Sequence, residues 1–178
     1  MSTSPTVTVV VGNPKAGSRT RAVGEAIASR AAIAAGLVPD DGDVPTVDTI
    51  ELAELGPQLF DWSSAPVRAA TEQLAGSALA IIATPVYKAT YTGLLKSFLD
   101  WFGQTGLAGV TAVPVMVGAS AAHALAVEVH LRPLLVEIGA TVPTRGLFVL
   151  EQELDSLDAT ITAWLEQAAP LLAASARR

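Results

Sequence analysis

Cysteine is absent from this chain, which excludes disulfide bonds, thiolate zinc sites and cysteine nucleophiles. A basic excess is missing as well: eleven Lys and Arg stand against seventeen Asp and Glu, a net charge of −6. With no overall basic field and no local Lys/Arg run, nucleic acid is not an expected partner. Charged residues are scarce at 16%, while 51% of the 178 residues are hydrophobic, too apolar a balance for a disordered chain. The one long charge-free stretch, Trp101 to Val127, is interrupted by Gly103, Gly106, Gly109, Pro114, Gly118, Ser120 and His123. It also lacks basic flanks, so it reads as buried strand, turn and helix and not as a membrane span. Met1 to Pro5 has neither the basic nor the apolar region of a signal peptide, and the expected location is the cytoplasm. Residues 1–178 are expected to form one domain, because chains of about 150 residues already bury roughly 70% of their unfolded surface.

What is present is an alternation of two patterns. Short β-branched runs suited to strands covered on both faces occur at Thr6 to Val11, Val47 to Leu52, Leu79 to Thr84, Thr111 to Val117 and Leu147 to Leu150. Between and after them lie helical spacings. Val23, Ile27, Ala31 and Ala34 mark a helix over Arg19 to Ala35, with Gly36 as its stop. Pro66, just inside a first turn, opens another after Ser64 that runs to about Ala75. Thr92 caps a helix whose Leu94, Leu95, Phe98, Leu99 and Phe102 share a face, ending at Gly103. That face, with Trp101 beside it, is either core or a contact with a second subunit. Ala121 to Ile138 forms a helix kinked or broken at Pro133, and Ser156 to Ala169 forms the last. Pro39 to Thr46 is a solvated connector. Strands and helices in alternation imply an α/β, doubly wound five-stranded parallel sheet flanked by helices.

In such a sheet ligands sit beyond the carboxyl ends of the strands, where the strand order reverses. Three loops are placed there. The first, GNPKAGSRT from Gly12 to Thr20, runs into a helix N-terminus and gathers amides, hydroxyls, Lys15 and Arg19, a set suited to an anion. A Walker loop would need Lys after its second Gly, but Gly17 is followed by Ser18 and Arg19; a GxGxxG fingerprint would need Gly where Pro14 stands. The loop therefore favours one terminal monophosphate, which separates FMN from NAD as the tightly held group. The second loop, TPVYKATYT from Thr84 to Thr92, offers Pro85, Val86 and Tyr87 as a wall beside a planar ring. The third, VGASAAH from Val117 to His123, places Gly118 and Ser120 at a ring's polar edge or simply caps a helix.

Other chemistry finds little support. GASAA lacks the second Gly of a nucleophile elbow, so Ser120 reads as a cap and not as a nucleophile. His123 and His130 have Glu128 and Glu137 nearby but form no HExxH pattern, and no metal site is expected.

Together, GNPKAGSRT (Gly12 to Thr20), TPVYKATYTGLLKSFLD (Thr84 to Asp100) and HALAVEVHLRPLL (His123 to Leu135) resemble the NAD(P)H-dependent FMN reductase family. The likeness is strongest to reductases that supply reduced flavin to two-component monooxygenases, and it covers nearly the whole chain. It implies a flavodoxin-like fold, FMN as cofactor, NADPH or NADH as reductant, and a homodimer or homotetramer. By the same resemblance Asn13, Lys15, Ser18, Arg19 and Thr20 meet the phosphate, while Pro85, Val86, Tyr87, Lys88, Gly118 and Ser120 surround the isoalloxazine ring. The family commonly has Ser and Arg where Asn13 and Lys15 stand, and Gly where Ala119 stands. No catalytic side chain is required, because the flavin itself accepts the hydride. Two other readings of the same residues are a quinone or azo-compound reductase that keeps its FMN, and a flavodoxin-type electron carrier.

Overall fold

The computed structural model describes residues 6–38 and 46–175; Met1 to Pro5 and, but for Thr46, the connector expected over Pro39 to Thr46 lie outside them. Five strands form one parallel sheet: β1 Val7–Val11, β2 Val47–Glu51, β3 Leu79–Pro85, β4 Thr111–Gly118 and β5 Leu147–Leu150. Their order is β2-β1-β3-β4-β5, the flavodoxin-like arrangement, with the reversal of winding between β1 and β3. Every residue of β1, β3 and β4 is buried, which is why those segments carry uninterrupted apolar runs in place of alternation.

Successive strand residues point to opposite faces, so two cores result. Val7, Val9 and Val11 face a layer made by α1 (Arg19–Ala35) and α6 (Leu157–Ser175), through Ile27, Ala31, Ile161 and Leu172. Val10 and Ile82 face the other layer, made by α2 (Leu52–Leu55), α3 (Ala65–Ala75), α4 (Gly93–Leu99) and α5 (Arg132–Glu137). Thr8, on that second side and fully buried, is satisfied by the Ser77 hydroxyl at 2.7 Å.

Several ends differ from the sequence expectation. The short α2 and the 3-10 turn Gly56–Phe60 follow β2 without a sequence signal strong enough to show them. Helix α4 stops at Leu99, with Asp100 as its C-cap, and Phe102 reaches its T-shaped contact with Phe98 from a turn. Leu95, Phe98 and Leu99 are buried in the core, while Leu94, Trp101 and Phe102 on the same side are half-buried. The helix expected over Ala121 to Ile138 is three pieces: a 3-10 turn Ala121–His123, a π-helical turn Val127–Leu131 and α5. The Arg132 amide donates to the Val127 carbonyl, five residues back. The wide turn thus ends just before Pro133, which has no N–H to continue the regular pattern. At the C-terminal end, α6 passes through Pro170 instead of ending at Ala169. Pro170 and Glu166, whose carbonyl loses its helical donor, are both exposed, and water can serve that carbonyl.

Candidate functional site

The cleft forms where β1 and β3 deliver their carboxyl ends. Gly12 continues the β1 ladder by donating its N–H to the Ala83 carbonyl at 2.7 Å. A Cβ at this position would lie 2.8 Å from the Leu95 Cβ and 3.3 Å from the Thr84 Cβ, so only glycine lets α4 pack onto the start of the loop. Beyond Gly12 the loop is held by its own side chains. Asn13 accepts the Lys15 amide on Oδ1 at 2.9 Å and donates from Nδ2 to the Thr20 hydroxyl at 3.1 Å, an Asx turn locked to the first turn of α1. Gly17 takes a left-handed φ of 61°, and its N–H meets both oxygens of Glu51 at 3.2 and 3.1 Å. Ser18 is the N-cap of α1, its Oγ accepting the Arg21 amide at 3.3 Å. The amides of Arg19 and Thr20, in the first helical turn, have no intrahelical acceptor and are available to an anion.

This loop and the segment after β3 enclose a cleft of about 300 Å³. Its walls bring together Asn13, Lys15, Ser18, Arg19, Thr20, Pro85 and Tyr87, seven of the residues singled out from the sequence, along with Gly17, Val117 and Glu151. The other four stand at the same end of the sheet but off the cleft wall. Val86 donates its amide to the Val117 carbonyl at 2.8 Å and so fixes the wall against β4. Lys88 is exposed in the turn that follows. Ser120 is exposed and accepts the Ala122 amide at 3.3 Å, as a cap. Gly118 ends β4, and the space where its Cβ would stand is taken by the Phe148 ring, 2.8 Å away. Its missing side chain thus serves packing within the protein as well as any approach by a ligand.

The turn after β3 is strained. Tyr87 and Thr90 exchange both backbone hydrogen bonds, at 2.9 and 3.2 Å, around Lys88 with φ 52° and Ala89 with φ 64°. These are the two positive φ values of a type I′ turn, which normally falls to Asn or Gly. A side chain in this region costs on the order of 1 kcal/mol per residue, and such strain collects at functional sites. It leaves Tyr87 half-exposed beside the anion loop.

Charge in the cleft is more balanced than the sequence suggests. Arg19, one of the two cations expected to meet a phosphate, pairs with Glu151 at 3.1 Å. Arg21 lies 3.9 Å from Glu51 and 2.8 Å from Glu25; its guanidinium is raised above its ordinary pKa, first by the hydrogen bond to Glu25. The Lys15 ammonium pairs with no carboxylate among the described residues. Neither Glu51 nor Glu151 was singled out from the sequence. Each closes or directly follows a strand, at its carboxyl end, and that position is the signal that would have found them.

A second cleft, of about 520 Å³, lies away from the anion loop between β5, α6 and the π-helical turn, lined mostly by apolar groups such as Leu125, Phe148 and Trp164. It is larger but has no converging hydroxyls. Among the described residues no cluster of three His, Asp or Glu could hold a metal ion, and no helix is long and apolar enough to cross a membrane.

The donor set of the first cleft suits a phosphate with a flat group beside it, and comparisons with known proteins agree. The FMN reductase (NADPH) of Escherichia coli K12 is 39% identical over a segment covering 49% of this chain and 46% of that protein. The chain thus matches about half the length of that relative. The NADH-dependent FMN reductase SfnE of Pseudomonas putida is 31% identical over 98% of this chain and 96% of that one. Among solved structures, apo NADH:FMN oxidoreductase EMOB is 31% identical with a TM-score of 0.70, covering 92% of this chain and 90% of that one. An oxidoreductase from Corynebacterium diphtheriae is 29% identical with a TM-score of 0.78, over 98% of both chains. Azoreductase AzrA, at 14% identity and a TM-score of 0.55, shares the fold alone. The sequence pattern of the NADPH-dependent FMN reductases matches residues 5–155, and the chain belongs to that family.

Proposed function

We propose that this protein is an NAD(P)H-dependent FMN reductase, a single flavin-binding unit that passes hydride from NADPH or NADH to FMN. The observation that carries the reading is the convergence, in one cleft at the β1/β3 reversal, of the Asn13–Thr20 anion loop with the Pro85 and Tyr87 wall. The residues fit FMN. Ser18, Thr20 and the open amides of the first α1 turn meet a terminal phosphate, and Lys15 supplies charge, as does Arg19 when released from Glu151. The wall is rigid, since Val86 is tied to β4 and Tyr87 is set by the closed turn. Lys88 and the segment Gly118 to Ser120, at the same end of the sheet but off the cleft wall, would border the polar edge of the ring.

The chemistry supplied by FMN when bound is acceptance of a hydride at N5, so the site needs no side-chain acid or base. The chain's own work is binding and orientation: the anion loop would hold the phosphate end of the ligand, and Pro85 and Tyr87 would stand beside its flat end. The reading extends to a cytoplasmic enzyme that supplies reduced flavin to a flavin-dependent monooxygenase. It also includes a homodimer or homotetramer, for which exposed Phe60, Trp62, Leu125 and Val129 provide apolar surface.

The test is multi-turnover NAD(P)H oxidation by desalted protein. The reading expects little activity until FMN is added, then saturating dependence on it. Activity indifferent to added FMN but dependent on a quinone would replace it with the quinone-reductase reading.

A further inference from the structure

Two carboxylates sit against the anion loop, and they are not equivalent. Glu51 is nearly fully buried and spends both oxygens on the Gly17 amide, a structural tie. Glu151 follows β5 and lines the cleft itself, where its Oε2 meets Arg19 Nη2 at 3.1 Å. The pair joins residues 132 positions apart, and β3 and β4 lie between the strands they follow. Both side chains are well exposed, at 67% for Arg19 and 39% for Glu151, so the pair is weak and easily exchanged. A phosphate entering the loop meets an Arg19 guanidinium whose charge is already partly neutralised, beside a carboxylate whose own negative charge repels it.

We infer that Glu151 is a tethered competitor for the FMN phosphate: by holding Arg19 it lowers flavin affinity, so that the flavin exchanges and is not retained. The inference rests on the phosphate reading of the loop. Glu151 touches no reacting atom; it is a positioning residue acting through Arg19. Its removal therefore strengthens binding, the opposite of what loss of an ordinary site residue does. The effect is confined to ligands that carry the phosphate, because riboflavin makes no demand on Arg19. It also shrinks as salt rises, since exposed charges are screened.

The experiment titrates FMN and riboflavin separately into wild-type protein and the variants Glu151→Gln, Arg19→Gln and the double variant, at low and high salt. For Glu151→Gln we expect FMN affinity to rise by about two- to fivefold, the scale of an exposed ion pair, with a matching fall in dissociation rate. Riboflavin affinity should stay within about twofold, and in the Arg19→Gln background the gain should fall below about twofold. Unchanged or weaker FMN binding in Glu151→Gln overturns the inference, as does a gain that persists in full without Arg19. If wild-type protein binds FMN no more tightly than riboflavin, the phosphate reading itself has failed, an outcome separate from any behaviour of Glu151.

Discussion

The Thr92 hydroxyl donates to the Gly12 carbonyl at 2.5 Å while accepting the Leu95 amide at 3.1 Å, so one buried side chain joins the end of β1 to the start of α4. The Thr92 amide in turn donates to the Thr84 hydroxyl at 3.3 Å, which ties the same point to β3. The two loops that wall the cleft are thereby set relative to each other by buried hydrogen bonds.

Replacing Thr92 by Val removes the cap and strands the buried Gly12 carbonyl. The expected loss is about 1 to 3 kcal/mol of stability in urea denaturation, with weaker FMN binding. Thr92→Ser keeps both bonds and should lose no more than about 1 kcal/mol, the worth of one buried methyl. Equal losses for Val and Ser would show that the methyl, not the hydroxyl, is what matters.

Ser18 and Arg19 test the anion loop. The double replacement Ser18→Ala, Arg19→Ala should weaken FMN binding by about 1.5 to 3 kcal/mol, less than two full charge-assisted bonds because Arg19 is exposed and already paired. Riboflavin binding should barely change. Equal loss for both flavins in equilibrium titrations contradicts the assignment of the phosphate to this loop.

Fold and site were legible in the sequence to different depths. The strands appeared because buried parallel strands need unbroken β-branched runs, as in TVTVVV, and α1 because Val23, Ile27, Ala31 and Ala34 recur at helical spacing before Gly36. The cluster of hydroxyls, amides and cations over Gly12 to Thr20 was legible because its members are neighbours in the chain. The Arg19–Glu151 pair and the Gly17–Glu51 tie were not, since each is made between segments far apart in sequence. The π-helical turn before Pro133 was likewise hidden: composition marked a break there but not its geometry.

The strained turn after β3 carries its own prediction. Lys88→Gly removes an unfavourable left-handed side-chain conformation and should raise stability by about 0.5 to 1 kcal/mol, read as a higher denaturation midpoint. Turnover should fall, because a more flexible turn holds the Tyr87 wall less firmly. A variant both more stable and fully active would show that the strain has no part in positioning the wall.

Gly12→Ala tests the close approach of α4 to the loop. Its Cβ would meet the Leu95 Cβ at 2.8 Å, so a cost of about 1 to 3 kcal/mol and weaker FMN binding are expected. Gly93→Ala, in the same helix but with open space at its Cβ, is the control and should be near neutral.

The most direct test of the whole account is an anaerobic mixture of a trace of protein with excess FMN and NADPH or NADH, followed by the flavin's visible absorbance and nicotinamide absorbance together. The account predicts that the excess FMN bleaches over many turnovers, with one nicotinamide oxidised per flavin reduced. FMN that binds the folded protein yet stays oxidised with both nicotinamides would contradict it and leave an electron carrier in place of a reductase.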